Sequence, residues 1–283
     1  MNWPALRSEL RRTNYAGRPV TLAEGAAVSA LLATGTALAG SRRDALVLGA
    51  VGALGLADDL LEPRQRRAGR PVAKGLRGHL GALRSGRLTT GGAKALGIPA
   101  LALLGAAAAP RPRHGAMVPA DAILVACCAN LANLLDLRPG RALKAVIPAA
   151  AALAVPSASA SAPARGRRDA GQGHPCGDRD ASGRALAIAA LVPAAAALLP
   201  DLREHGMLGD AGANALGAAV GLAATRRAPR PVRLGLTGLV VALTLASERV
   251  SFSAVIDRTP ALRAVDRWGR RQAPCGPAED PDA

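Results

Sequence analysis

The sequence predicts an all-α fold, a polytopic membrane bundle of about eight helices, and three observations carry that expectation. Half of the 283 residues are hydrophobic, yet aromatics make up only 1%. Soluble cores of this size use Phe, Tyr and Trp for bulk, and a chain with one Phe and one Tyr would pack such a core poorly. Helices of Ala, Leu and Gly instead pack closely in lipid, where small residues let backbones approach. Apolar segments recur at about 22–40, 45–61, 95–109, 118–135, 142–156, 185–200, 211–224 and 232–247. Several are shorter than the roughly 20 residues a span needs, which leaves their ends soft. The third observation is charge: a formal net charge of +16, nearly all of it Arg, sits in short loops between those segments. Nucleic-acid binding would want such charge on one continuous face; here it has the pattern of membrane topology.

Taken in order, residues 1–21 are polar and basic, and the apolar segment from residue 22 reads as a first span, since it has no small-residue cleavage pattern. A long basic loop, 62–94, follows the second segment. Residues 157–184 are rich in Ser, Ala, Gly, Pro and charge, the composition of a disordered loop. One integral-membrane domain covers 1–271, and 272–283 is a frayed tail. With a cytoplasmic N-terminus and eight spans, 23 of the 36 Lys and Arg fall inside, against the pull of Arg165, Arg167 and Arg168. Cys176 should then label from outside and Cys275 from inside. The four Cys form no CxxC pair, and Cys127 and Cys128 read as small buried residues.

In this arrangement three polar stretches reach the cytoplasmic ends of spans. Asp58 and Asp59 end the second segment, and Glu62 shares a helix face with Asp58 at i,i+4. Two carboxylates at a membrane edge suit a divalent cation; a solvated helix end beside Arg64 and Arg66 would look the same. Asn130, Asn133 and Asp136 form an i,i+3 stripe that either glues helices together or lines a polar cavity. Asp210, flanked by Gly209 and by Gly212, can approach a metal-bound phosphate or simply cap a helix. Gly217 and Gly221 have the GxxxG spacing of helix packing. In the basic loop, Lys74, Arg77, His79, Arg84, Arg87 and Lys94 face either anionic head groups or a pyrophosphate. Neither His79 nor His205 is assigned a role.

The stretches Leu56-Ala57-Asp58-Asp59, Asn130-Leu131-Ala132-Asn133-Leu134-Leu135-Asp136 and Leu208-Gly209-Asp210-Ala211-Gly212, with Thr13-Asn14-Tyr15-Ala16-Gly17-Arg18 before them, resemble the polyprenyl-phosphate N-acetylhexosamine-1-phosphate transferases. That superfamily is glycosyltransferase family 4, which includes phospho-N-acetylmuramoyl-pentapeptide transferase. The resemblance implies a bacterial plasma-membrane enzyme with its site facing the cytoplasm, acting in cell-envelope glycan synthesis. A sugar-1-phosphate would pass from a UDP-sugar to polyprenyl phosphate, releasing UMP, with Mg2+ required. By the same resemblance Asp210 ligates the metal, and Asp58 and Asp59 are catalytic, positioning metal or lipid phosphate. Asn130, Asn133, Asp136 and Lys94 contact substrate. The implied partners are the UDP-sugar, the polyprenyl phosphate, the bilayer and a second copy in a homodimer, with no nucleic acid.

Two departures stand out. Where members carry Asp-Gly-x-Asp-Gly, this chain has Asp136-Leu137-Arg138-Pro139-Gly140, and the late His-rich loop is missing. These losses point away from the pentapeptide transferase and keep a rival open: a non-catalytic relative that serves as a membrane scaffold or lipid-phosphate binder. A small transporter ranks last, because the ionisable groups cluster at one face rather than at mid-membrane.

Overall fold

A computed structural model describes residues 8–67, 89–110, 115–156 and 175–271. The fold is all-α apart from a short antiparallel ribbon, β1 (Arg11–Thr13) and β2 (Pro19–Thr21), that the sequence reading did not anticipate. Its turn is set by Asn14, whose Oδ1 accepts from the N–H of Ala16 and of Arg18, each at 2.9 Å. Asn side chains favour turns by such local bonds.

The helices are α1 (Ala23–Leu38), α2 (Arg42–Arg67), α3 (Thr90–Ala107), α4 (Met117–Leu135), α5 (Arg141–Ala154), α6 (Pro175–Leu202), α7 (Gly209–Arg227) and α8 (Arg230–Ser247). Two short ones follow, α9 (Phe252–Arg258) and α10 (Pro260–Arg267). Each of the eight apolar segments falls on one of α1–α8, overrunning its ends by at most two residues. Among the described residues, four helices are long and apolar enough to cross a membrane: Thr90–Ala107, Met117–Leu135, Asp178–Leu202 and Arg230–Ser247. Three boundaries need correction. Residues 62–67 continue α2 through Pro63 rather than opening the basic loop. Residues 90–94, with Lys94, open α3 rather than closing that loop. Residues 175–184 belong to α6, not to the 157–184 loop. Residues 68–88 and 157–174, including Lys74, Arg77, His79, Arg84 and Arg87, lie outside the described residues, as do Cys275 and the 272–283 tail.

Helix α7 is the axis. Its residues from Ala211 to Ala219 are all buried, and α1, α2, α4 and α6 pack around it. A helix apolar on every side belongs in a core, and small residues decide how closely its neighbours come. A Cβ on Gly217 would meet the Cα of Ala129 at 2.8 Å, and one on Gly221 the Cα of Val125 at 2.8 Å, so the GxxxG pair is a packing face against α4. On the opposite side, Gly55 of α2 lies against the peptide joining Asp210 to Ala211. Cys127 and Cys128 are free thiols, half-buried rather than buried as the sequence suggested.

Buried ion pairs fasten the end of the bundle remote from Asp210. Arg226 pairs with Asp44 at 2.5 Å and Arg233 with Asp121 at 2.6 Å, all four side chains at most 8% exposed. Along α2, Asp44 and Asp58 stand roughly 21 Å apart at 1.5 Å per residue, so the charged groups of this helix are confined to its two ends.

Candidate active site

Three helices converge on one lysine. Asp58 leaves α2, Asp210 sits in the first turn of α7, and Lys94 projects from the first turns of α3. The Lys94 Nζ lies 2.9 Å from Asp58 Oδ2 and also bonds Asp210 Oδ2. The reason is electrostatic: two carboxylates held together away from bulk water repel unless a cation lies between them. The start of α7 adds partial positive charge beside Asp210, which favours its ionised form. Asn214, one turn further and fully buried, donates its Nδ2 to the Asp210 carbonyl at 2.6 Å and steadies that first turn.

The triad lies in the wall of a cavity of about 580 Å3. Asn130 and Asn133 of α4 line it from across, with Asn214, Thr90 and Glu62. Ile98, Pro99, Ala126 and Leu245 supply an apolar wall. A charged floor, facing amides and an apolar side suit an amphiphile with an anionic head. Asp58 and Glu62 share this cavity, as their i,i+4 spacing predicted, and five expected site residues meet here: Asp58, Lys94, Asn130, Asn133 and Asp210.

Two expected residues lie elsewhere. Asp59 turns from the cavity and accepts from the Ala211 N–H at 3.2 Å, while its own carbonyl accepts from Arg12. Consecutive residues on a helix do not share a face, so an Asp pair presents one carboxylate to the cavity and uses the other to bind the start of α7. Asp136 follows the last turn of α4 and lines a separate cavity of about 320 Å3 with Arg138, Asp201 and Glu204. It is 8% exposed and its Oδ2 has no hydrogen-bond partner. Burial, with the Asp201 charge adding repulsion, pushes its carboxyl well above the usual carboxylate range. The Asn–Asn–Asp stripe therefore splits: its amides face the main cavity and its carboxyl does not. Asp210 is no plain N-cap either, since its carboxylate engages Lys94.

The loop before Asp210 is held from the N-terminal ribbon. Arg18 pairs with Glu204 at 2.6 Å, Asn14 donates to Glu204 at 2.6 Å, and the Met207 N–H donates to the Thr21 carbonyl at 3.0 Å. Glu204 occupies the left-handed region at φ 59°, a conformation that costs a non-glycine residue about 1–3 kcal/mol and persists where its surroundings hold it. His205 is exposed and takes no part in the cavity.

Sequence reasoning missed Asn214 and Thr90. Asn214 was accessible through its i+4 spacing from Asp210. Glu248 and Thr244, which line the cavity from the end of α8, carry no signal short of the tertiary fold.

Among the described residues no group of three or more His, Cys, Asp and Glu side chains could hold a metal ion. Asp58 and Asp210 could offer magnesium the one or two carboxylates it takes before water and substrate phosphate complete its shell, but each now gives one oxygen to Lys94.

Fold and site together define an all-α bundle, membrane-associated by its four long apolar helices, with an acidic–lysine cavity at one end. Comparison with protein families, curated proteins and solved structures finds no match to the chain.

Proposed function

We propose that this chain is a bacterial plasma-membrane phosphoglycosyl transferase that moves a sugar-1-phosphate from a UDP-sugar to polyprenyl phosphate. The observation that carries the reading is the convergence of Asp58, Lys94 and Asp210 on a cavity with amide and apolar walls. On this reading α1–α8 are eight spans with the cavity at their cytoplasmic end, and α7 crosses inside the bundle rather than against lipid. The motif resemblance supports the same class.

In the reaction an oxygen of the lipid phosphate bonds to the sugar-bearing phosphorus of the UDP-sugar. The phosphoanhydride bond breaks, and its electron pair leaves with UMP. The lipid phosphate is largely dianionic near neutral pH, its second pKa being about 6, so no strong base is required. Such transfers depend on positioning and charge neutralisation. Mg2+, held by Asp210 with Asp58 beside it, would screen the diphosphate charge. Lys94 neutralises phosphate oxygens from the cavity wall. Asn130 and Asn133 orient the nucleotide or diphosphate through their amides. The apolar wall takes the first prenyl unit. Asp59 is a positioning residue that acts through the Ala211 N–H, and buried Asp136 acts through the 203–208 loop and the start of α7.

The rival is a non-catalytic lipid-phosphate binder, and a specific observation favours it. Lys94 already supplies a cation between Asp58 and Asp210, and Pro139, next to Arg138, stands where the resemblance expects the second acid. Mg-dependent UMP release by the purified protein, with a panel of UDP-sugars and undecaprenyl or decaprenyl phosphate, separates the two. Release that vanishes in Asp210→Asn supports the transferase. No release from folded protein with any donor supports the binder.

A further inference from the structure

The Arg138-Pro139 departure leads to the C-terminal helices. Arg138 pairs with Asp257 of α9 at 2.7 Å, and Arg141 pairs with Asp266 of α10 at 2.7 Å. Lys144 donates to the Asp266 carbonyl at 2.8 Å. Tyr15 stacks under two guanidiniums, those of Arg138 at 5.4 Å and Arg270 at 5.2 Å. These contacts fasten the end of the chain to the turn between α4 and α5. That turn follows Asp136, whose carboxyl accepts from the Gly209 N–H. The α9–α10 segment is thus held at the end of the bundle that carries Asp210.

What the latch leaves outward is distinctive. Asp266 is 4% exposed and faces the protein, while Leu262, Val265 and Trp268 are 46%, 59% and 71% exposed. Ala261, Ala264 and Val265 stand at i, i+3 and i+4 on one face of α10, with Leu262 beside them and Trp268 at the residue that follows the helix, and all five are exposed. Arg249, Arg258, Arg263, Arg267 and Arg271 are all exposed around it. Of the nearby acids, Asp266 is buried against Arg141, and Asp257, its side chain 40% exposed, is paired with Arg138. An apolar stripe with one Trp, ringed by charge of one sign, has the chemistry of a helix lying in a bilayer interface. Trp belongs at head-group depth, and a basic rim is drawn to anionic lipid.

We infer that α9–α10 is an interfacial anchor, seated on anionic head groups at the Asp210 end of the bundle with Leu262, Val265 and Trp268 at the acyl boundary. The inference rests on the reading that α1–α8 span a bilayer. Its consequence is geometric. Glu248, at the root of the anchor, lines the main cavity, so the anchor brings the cavity mouth to the depth where a lipid phosphate resides. Arg138, beside the Pro139 that takes the place of an expected acid, becomes the fastening of that anchor.

The chain has two Trp, Trp3 and Trp268, so a Trp3→Phe variant of the full chain reports on Trp268 alone. It is reconstituted into phosphatidylcholine vesicles with and without phosphatidylglycerol. Quenching is read with lipids brominated near the head group, with lipids brominated deep in the chain, and with aqueous iodide. The expected result is strong quenching by shallow bromine, weaker quenching by deep bromine and little by iodide. Replacing Arg258, Arg263 and Arg267 by Gln should lower the bromine quenching at least about twofold in phosphatidylglycerol vesicles, since each basic side chain adds to attraction at an anionic surface. Trp268 quenched by iodide and indifferent to bromine would overturn the anchor. Indifference to both quenchers would also overturn it, by placing a second protein copy on the face. Protein that fails to float with the vesicles would refute the bilayer reading itself.

Discussion

The close approach of α2 to α7 can be tested by one methyl group. Gly55 packs against the Asp210–Ala211 peptide, and a Cβ built there would stand 2.7 Å from the Ala211 nitrogen, with the Asp210 carbonyl closer still. Ordinary contact begins near 3.4 Å. Both obstacles are backbone, so no rotamer change relieves the overlap and the two helices must part by about 0.7–1 Å. Overpacking of this kind costs about 1–3 kcal/mol. Parting also carries Asp210 away from Asp58 and Lys94, and a misplacement near 1 Å can cost a catalytic site roughly 100-fold. Gly35 of α1 is the control: its Cβ would meet only the Ala189 Cβ, at 3.8 Å. Gly35→Ala should be neutral or stabilising by about 0.5–1 kcal/mol through helix propensity. The assay is thermal unfolding in detergent of Gly55→Ala, Gly35→Ala and the parent, with UMP release measured in parallel. A Gly55→Ala protein as stable as the Gly35→Ala protein would refute the close packing. One with lowered stability but full turnover would refute the dependence of the site on that packing.

Two further predictions concern buried charge. Arg226→Leu alone should destabilise the protein by about 3–5 kcal/mol, because it strands Asp44 out of water, whereas Arg226→Leu with Asp44→Leu should recover most of that loss; equal unfolding midpoints for the single and double variants would show that the pair is not coupled. The other is acid sensitivity of the C-terminal latch. Burial opposes ionisation of Asp266, but its hydrogen bond and charge pairing with Arg141, with Arg270 and Arg138 nearby, hold its carboxyl below the usual carboxylate range. A depressed native value contributes stability that is fully present above the unfolded value of about 3.9 and is lost as pH falls through the native one. Acid should therefore release α9–α10, reported by Trp268 emission in the Trp3→Phe protein, below about pH 4. Asp266→Asn should show the released signal already at neutral pH, and an unchanged acid profile in that variant would assign the transition to another group.

The candidate site was partly legible before the fold was known. Local spacing decides which side chains of one helix share a face, and for that reason Asp58 with Glu62, and Asn130 with Asn133, reach the same cavity. The same rule separates Asp59 from Asp58, a consequence that reading the acidic pair as a unit obscured. Asp136 was misplaced because α4 ends at Leu135; beyond a helix end, periodicity no longer states where a carboxyl points. The i,i+3 pattern extends only as far as the helix does.

By itself the sequence determined the all-α class, the position of each apolar helix and the polar end of each that carries the acidic residues. Those properties follow from hydropathy and short-range spacing, which act within one helix. The tertiary structure alone decided that Lys94, 116 residues from Asp210 in the chain, stands between Asp210 and Asp58. It also decided that Asp59 binds the start of α7, that Asp136 is enclosed apart from the main cavity, and that Arg138 fastens the C-terminal helices. Each of these depends on which helices touch and on how closely glycine lets them approach, and packing between distant segments leaves no periodic trace along the chain.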